Sequence, residues 1–259
     1  MKHSYFDKYS DLSSVVHRLD PRTKLLASCA FILVVAAIPP DSWLSYAVCA
    51  GLLAIWFSLS HVPLSHILRR SLVVLPFVAV VAVFIPFLHE GQVAGSYSIG
   101  GWELSVTYDG LVVLRTVLVR AWLSITALIL LTATTRMTDL LHAMERLRLP
   151  RVLVMMMSFM YRYIFVLTDE VMRLKMMRDS RNFGYGGSRI WQIRTVGHMI
   201  GTLLIRSYER AERVYAAMLS RGFNGQTHSL HQLRFCQGDL SAAILCAAAL
   251  ATAGVASAV

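Results

Sequence analysis

The stretch VLVMMMSFMYRYIFVL, Val152 to Leu167, is the one whose reading decides the fold. It carries a single charge, Arg162, and is apolar enough to be taken for a membrane span. The residues beyond it argue otherwise. Eleven of them, from Arg173 to Arg234, are basic, and a crossing here would carry them all to the outer side, against the bias of Lys and Arg for the inner face. The stretch is therefore expected to lie as a helix beneath the membrane, with Met155, Met156, Met157 and Met160 packed on the inner ends of the spans. Everything from Arg136 to Gly238 then belongs to the inner side.

Outward from this stretch, the chain reads as a membrane protein. Its 259 residues are 56% hydrophobic and only 15% charged, and a mean hydropathy of +0.56 exceeds what a soluble domain of this size carries. A polar opening precedes Asp20-Pro21, which starts a helix with proline at its first position. Pro21 to Ile38 spans the membrane if Lys24 snorkels to the interface, and Pro39-Pro40-Asp41 ends it. Trp43 to Leu59 is a second span, with Trp43, Tyr46 and Trp56 near its ends, at headgroup level. After a polar loop, His61 to Arg70, a third span runs from Ser71 to Leu88, kinked by Pro76 and Pro86. The connection from His89 to Gly110 lacks Lys and Arg and reads as an outer loop. Leu111 to Thr135 is the fourth span. It holds Arg115 near the outer end and Arg120 deep, where a charge must face the bundle interior, a partner or water; pairing with a backbone carbonyl or an acid competes evenly with a substrate or partner role. Leu240 to Val259 is a fifth, built of small residues that allow close helix approach.

The expected fold is thus an all-α, polytopic membrane protein of about five transmembrane helices, divided as 1–135 (four spans), 136–238 (long inner-side helices) and 239–259 (the last span). Sixteen of the 25 lysines and arginines fall between Arg136 and Arg234. With five spans the N-terminus lies inside and the C-terminus outside, and the net charge of +10 orients the chain rather than binding nucleic acid, for which no basic tail or aromatic-basic ladder is present. No cleavable signal peptide is evident. Cys29, Cys49, Cys236 and Cys246 lack ligand spacing and are expected to be small buried hydrophobes.

Within the inner segment, Thr138 to Leu147 reads as a short amphipathic helix capped by Thr138. Two long helices come next, from Pro150 to Ser180 and from about Trp191 to Ser220. Both end alike: Ser180-Arg181-Asn182-Phe183 and Ser220-Arg221-Gly222-Phe223, with Gly184 and Gly225 close behind. Asn and Gly favour the left-handed turn that closes a helix, so each arginine is expected in the last turn, its five-donor guanidinium aimed past the tip at a carboxylate cluster on another protein. Ordinary C-terminal capping arginines are the bland alternative; two copies in one chain favour a shared partner.

Catalytic chemistry is not legible. The chain contains no GxxxxGK[ST], HExxH or GxSxG, so it is not expected to be an enzyme or to bind a cofactor or metal of its own. His228 and His231 sit three apart in a polar loop without a third ligand.

The run His17-Arg18-Leu19-Asp20-Pro21-Arg22-Thr23-Lys24-Leu25, the four to five spans and the paired arginine triplets together resemble the transmembrane (T) component of energy-coupling factor transporters, and the chain length and opening from Tyr5 to Ser14 most resemble CbiQ of cobalt uptake systems. The resemblance implies a bacterial inner-membrane subunit of an ABC-type importer. Its triplets, Ser180, Arg181, Asn182 and Ser220, Arg221, Gly222, would dock on a pair of cytosolic ATPases that hold the ATP and magnesium. Its membrane helices would hold a separate substrate-binding (S) subunit, with membrane lipid around them. Both triplets depart from the Ala-Arg-Gly pattern of that family, the first at two of three residues. A T component for nickel or a vitamin, or a stand-alone permease, is the alternative.

Overall fold

The computed structural model describes residues 14–40, 42–88, 93–99, 102–180, 188–225 and 237–256. They form two compact units, one made by 2–143 together with 233–259 and the other by 144–232. The protein is an all-α, polytopic membrane protein to which one small hairpin is added.

In the first unit, a short turn of helix, α1 (Val15–Arg18), leads into α2 (Pro21–Ala37), whose N-cap Asp20 accepts from the Arg22 N–H at 2.9 Å. A proline at N1 loses no helical hydrogen bond, which is why the helix starts where Asp20-Pro21 says it should. Next come α3 (Trp43–Ser60), α4 (Leu64–Ala82), with Pro76 inside it, and the single turn α5 (Ile85–Leu88). An antiparallel hairpin, β1 (Val93–Ile99) and β2 (Trp102–Thr107), pairs Ile99 with Trp102. Beyond it run α6 (Tyr108–Thr134), α7 (Met137–Arg146) and, closing the unit, α10 (Gln237–Ala256). The second unit holds α8 (Arg151–Asp179) and α9 (Arg189–Ser220).

Two clusters fill the bundle. Phe31, Val35 and Ile38 of α2 meet Cys49 and Leu53 of α3, Leu123 and Ala127 of α6 and Ala253 of α10, while Val62 and Ile67 meet Ile129, Leu130 and Ala133. Small residues at Ala127, Ala133 and Ala253 let the backbones approach, which is how helices associate where lipid is as apolar as leucine.

Among the described residues, α3, α6, α8 and α10 are long and apolar enough to cross a membrane. The hydrogen bonds of the bundle bear on how α8 can be placed. Lys24, at the start of α2, donates to the Thr134 carbonyl at the end of α6, and the Asp20 N–H donates to Asp239 in the first turn of α10. The chain therefore leaves the bundle after α6 and returns at α10 on the same side. Between those points the number of crossings must be even. The remaining long helix, α9, carries Arg189, Arg194, Arg206, Glu209, Arg210, Glu212 and Arg213 and is not among the helices apolar enough to cross. The five helices α2, α3, α4, α6 and α10 alternate in direction.

Three elements differ from the sequence reading. The segment from Leu64 to Arg70 is helix rather than loop, so Arg69 and Arg70 sit inside α4. The connection after α5 contains a hairpin. The amphipathic helix begins at Met137, leaving Thr138 within it rather than at its cap. Cys49 and Cys246 are buried as expected, but Cys29 is exposed; Cys236, His228 and His231 lie outside the described residues.

Candidate functional site

At the tip of α9 the last turn is closed by two nested hydrogen bonds. The Phe223 N–H reaches back to the Met218 carbonyl at 3.0 Å and the Gly222 N–H to the Leu219 carbonyl at 3.0 Å. This six-to-one, five-to-two pair requires a left-handed residue between, and Gly222, at φ +80°, supplies it. Arg221 is the cap itself, at φ −92° and ψ 9°, one residue past the helical Ser220 rather than in the last turn. Ser220, Arg221 and Gly222 are all exposed. Ser220 directs its hydroxyl to the Ala217 carbonyl at 3.0 Å, which takes up one of the terminal acceptors. A guanidinium at this place sits at the negative end of the helix dipole, and its donors are available for acceptors beyond the tip.

The other tip is described only to Ser180. Its N–H and its hydroxyl both donate to the Met176 carbonyl, at 2.9 and 2.8 Å, and Arg178 pairs with Asp179 at 2.8 Å. Arg181 and Asn182 lie outside the described residues.

Glu170 of α8 and Arg206 of α9 are joined at 2.6 Å, with the carboxylate largely shielded. An exposed pair within α9, Glu209 and Arg213, stands at 3.7 Å. Met156, Met160, Met172 and Met176 on α8, and Ile193, Ile200, Leu204 and Tyr208 on α9, are exposed in the isolated chain. No residue of α9 is buried. So large an apolar surface on a helix pair marks a place where something else sits.

In the bundle, Arg120 is not deep. Thr134 lies level with Lys24, and fourteen residues separate both Lys24 from Ile38 and Arg120 from Thr134, about 21 Å in each helix. Arg120 therefore lies level with the far end of α2. There its guanidinium donates to the Ile38 carbonyl, the orphan acceptor of that helix end, and its Nε to the Tyr46 hydroxyl at 2.9 Å; Tyr46 donates to the same carbonyl at 3.2 Å. Pairing with the backbone, one of the two readings of Arg120, is what the structure contains.

Sequence reasoning missed a polar junction at the opposite end of the bundle. Lys24 is 4% exposed, buried rather than snorkelling. Its Nζ donates to the carbonyls of His17 and Thr134, each at 3.2 Å. Asp239, 1% exposed, accepts from the Asp20 N–H at 2.7 Å. Ser14 and His17 share a hydrogen bond at 2.6 Å. The signal was the run from His17 to Lys24, with Arg18, Arg22, Lys24 and an acid, Asp20, set around a proline. Periodicity could say that it starts a helix, but not that its charges turn inward.

Residues 12–231 match the family model described as CbiQ, cobalt transport protein. An energy-coupling factor transporter transmembrane protein EcfT of Thermosediminibacter oceani is 32% identical over 259 residues, covering 94% of this chain and 94% of the relative. The EcfT of Bacillus selenitireducens is 30% identical over 231 residues, covering 84% and 83%. An uncharacterized protein of Methanocaldococcus jannaschii is 28% identical over 232 residues, covering 88% and 78%.

Proposed function

This chain belongs to the CbiQ family and is a transmembrane component of an energy-coupling factor transporter, and from that premise we propose that it couples a cytosolic pair of ABC ATPases to a substrate-binding membrane subunit for the uptake of cobalt ion. The observation that carries the reading is the tip of α9: an exposed arginine at the cap of a 32-residue helix, its backbone fixed by the hydrogen bonds that close the last turn. At about 48 Å, α9 is long enough to act as a lever.

In this mechanism the ATPases supply ATP and magnesium, and their closure moves Arg221 relative to Arg181. Ser180 and Asn182 flank one arginine, Ser220 and Gly222 the other. The exposed apolar faces of α8 and α9 transmit the motion to the substrate subunit. Such transmission requires contacts that differ between the two states of the ATPases. Charge favours a bacterial inner-membrane protein with the N-terminus and the Arg221 tip in the cytoplasm and the C-terminus outside, since sixteen of its 25 lysines and arginines fall in the segment 136–234. The description of the matching family supports cobalt over nickel or a vitamin. Arg120, the feature that favours a stand-alone permease, is engaged by Ile38 and Tyr46, which favours a scaffold.

The test is co-purification of the ATPases and cobalt uptake for Arg181→Ala, Arg221→Ala and the double variant. Removing one side of a buried charged contact costs about 2–5 kcal/mol, at least about 30-fold in affinity. Each single variant is expected to weaken recruitment by that factor and the double to abolish it. Wild-type recruitment and uptake in all three would overturn the proposal.

A further inference from the structure

The two roots of the segment 135–238 are held to one short piece of chain. Thr134, where α6 ends, is bound through its carbonyl to Lys24 Nζ, 110 residues away in sequence; Asp239, where α10 begins, is bound through its carboxylate to the Asp20 N–H, 219 residues away. The same lysine also holds the His17 carbonyl. Thr134, Thr135, Asp20, Lys24 and Asp239 are all buried, and only two residues separate α6 from α7. The acceptors matter here: Lys24 grips backbone rather than side chains, so it fixes where the chain itself stands.

A lever delivers force only if its root does not yield. Arg221 and Arg181 would otherwise move while the chain pivots at 135 and 238, and the motion would be lost. The geometry points to a two-point latch, made by Lys24 on Thr134 and by Asp20 on Asp239, that stiffens both roots; Lys24 is a positioning residue for the coupling of ATP hydrolysis to uptake. The inference rests on the coupling function proposed above. Its cause is electrostatic. A buried lysine seated on two carbonyls has no equivalent place to go, because leaving these groups unpaired out of water is costly.

The experiment uses the whole complex, with ATPases and substrate subunit, in proteoliposomes, reading cobalt taken up and ATP hydrolysed in the same vesicles. Lys24→Met keeps the stem and removes the donor. It is expected to assemble at wild-type yield and hydrolyse ATP within about twofold of wild type, while cobalt carried per ATP falls at least about fivefold. Asp239→Leu is expected to behave in the same way, and Asp239→Asn, which keeps the acceptor oxygen, to retain the wild-type ratio. A wild-type ratio in Lys24→Met, equal loss in Asp239→Asn and Asp239→Leu, or failure of both Lys24→Met and Asp239→Leu to assemble would each overturn the latch; the last would make the junction a folding determinant only.

A second measurement needs no partner. Spin labels on Thr132→Cys and Ser241→Cys, both exposed positions, in the full chain with its native cysteines replaced, are expected to give one narrow distance distribution, broadened by Lys24→Met. An unchanged distribution would sink the latch. A wild-type chain that recruits no ATPase while the distribution broadens as expected would instead sink the coupling function.

Discussion

At the scale of single residues, glycine and lysine carry the most consequence. Gly222 is held at φ +80° by the cap of α9, and nothing lies within 4 Å of where its Cβ would be, so a side chain there meets strain but no clash. A non-glycine residue pays about 1–2 kcal/mol in that conformation, asparagine least. Gly222→Ala is expected to weaken ATPase recruitment by no more than about 30-fold, and Gly222→Asn by less, in a titrated pull-down; equal affinity for Gly222→Ala and wild type would mean that the cap does not hold Arg221 in place. The letters Arg221-Gly222 were readable as a helix end from sequence alone, down to the left-handed glycine. Lys24 was not. A lysine four residues into an apolar helix has the same letters whether it reaches for the interface or for two carbonyls, and only the position of Thr134, 110 residues on, decides between them.

At the scale of elements, the helices were legible wherever a proline, a cap or a long apolar run marked them, as with α2, α3, α9 and α10. The hairpin also has a signature, masked by the low charge that makes its segment read as an outer loop. Tyr97 and Ile99, then Trp102, Leu104 and Val106, alternate with Ser96, Ser98, Glu103 and Ser105 across Gly100-Gly101, a period of two around a two-residue turn signal. What the sequence could not disclose is the contact between α5 and α6: a Cβ on Gly110 would stand 2.6 Å from the Pro86 Cα, where backbone rather than a flexible side chain is in the way. Gly110→Val is therefore expected to lower the thermal stability of the purified protein by several degrees. Gly51→Ala, in α3 with nothing within 4 Å, should be neutral or stabilising by up to about 1 kcal/mol. Equal melting temperatures for the two variants would contradict the close approach.

At the scale of the whole molecule, the alternation of five bundle helices makes a statement about sides. His61, at the turn between α3 and α4, belongs to the end of the bundle that holds Lys24, while Phe84, between α4 and α5, belongs to the other. If α8 does not cross, Ser188, between α8 and α9, shares the side of His61. In a cysteine-free background, His61→Cys and Ser188→Cys should react with a membrane-impermeant maleimide only after the cells are opened, and Phe84→Cys in intact cells. Labelling of Ser188→Cys in intact cells would mean that α8 crosses. The charge distribution points to this arrangement, since eleven bases come after Leu167; the apolar run of α8 points the other way, and hydrogen bonds 110 and 219 residues long in sequence put both ends of the intervening segment at one end of the bundle.

Those separations also set an order of events at the ribosome. The amide of Asp20 must wait for a carboxylate made 219 residues later, a delay of about 10–40 s at ordinary elongation rates. Lys24 waits about half as long, for the Thr134 carbonyl 110 residues on, so the root at α6 is fastened before the root at α10.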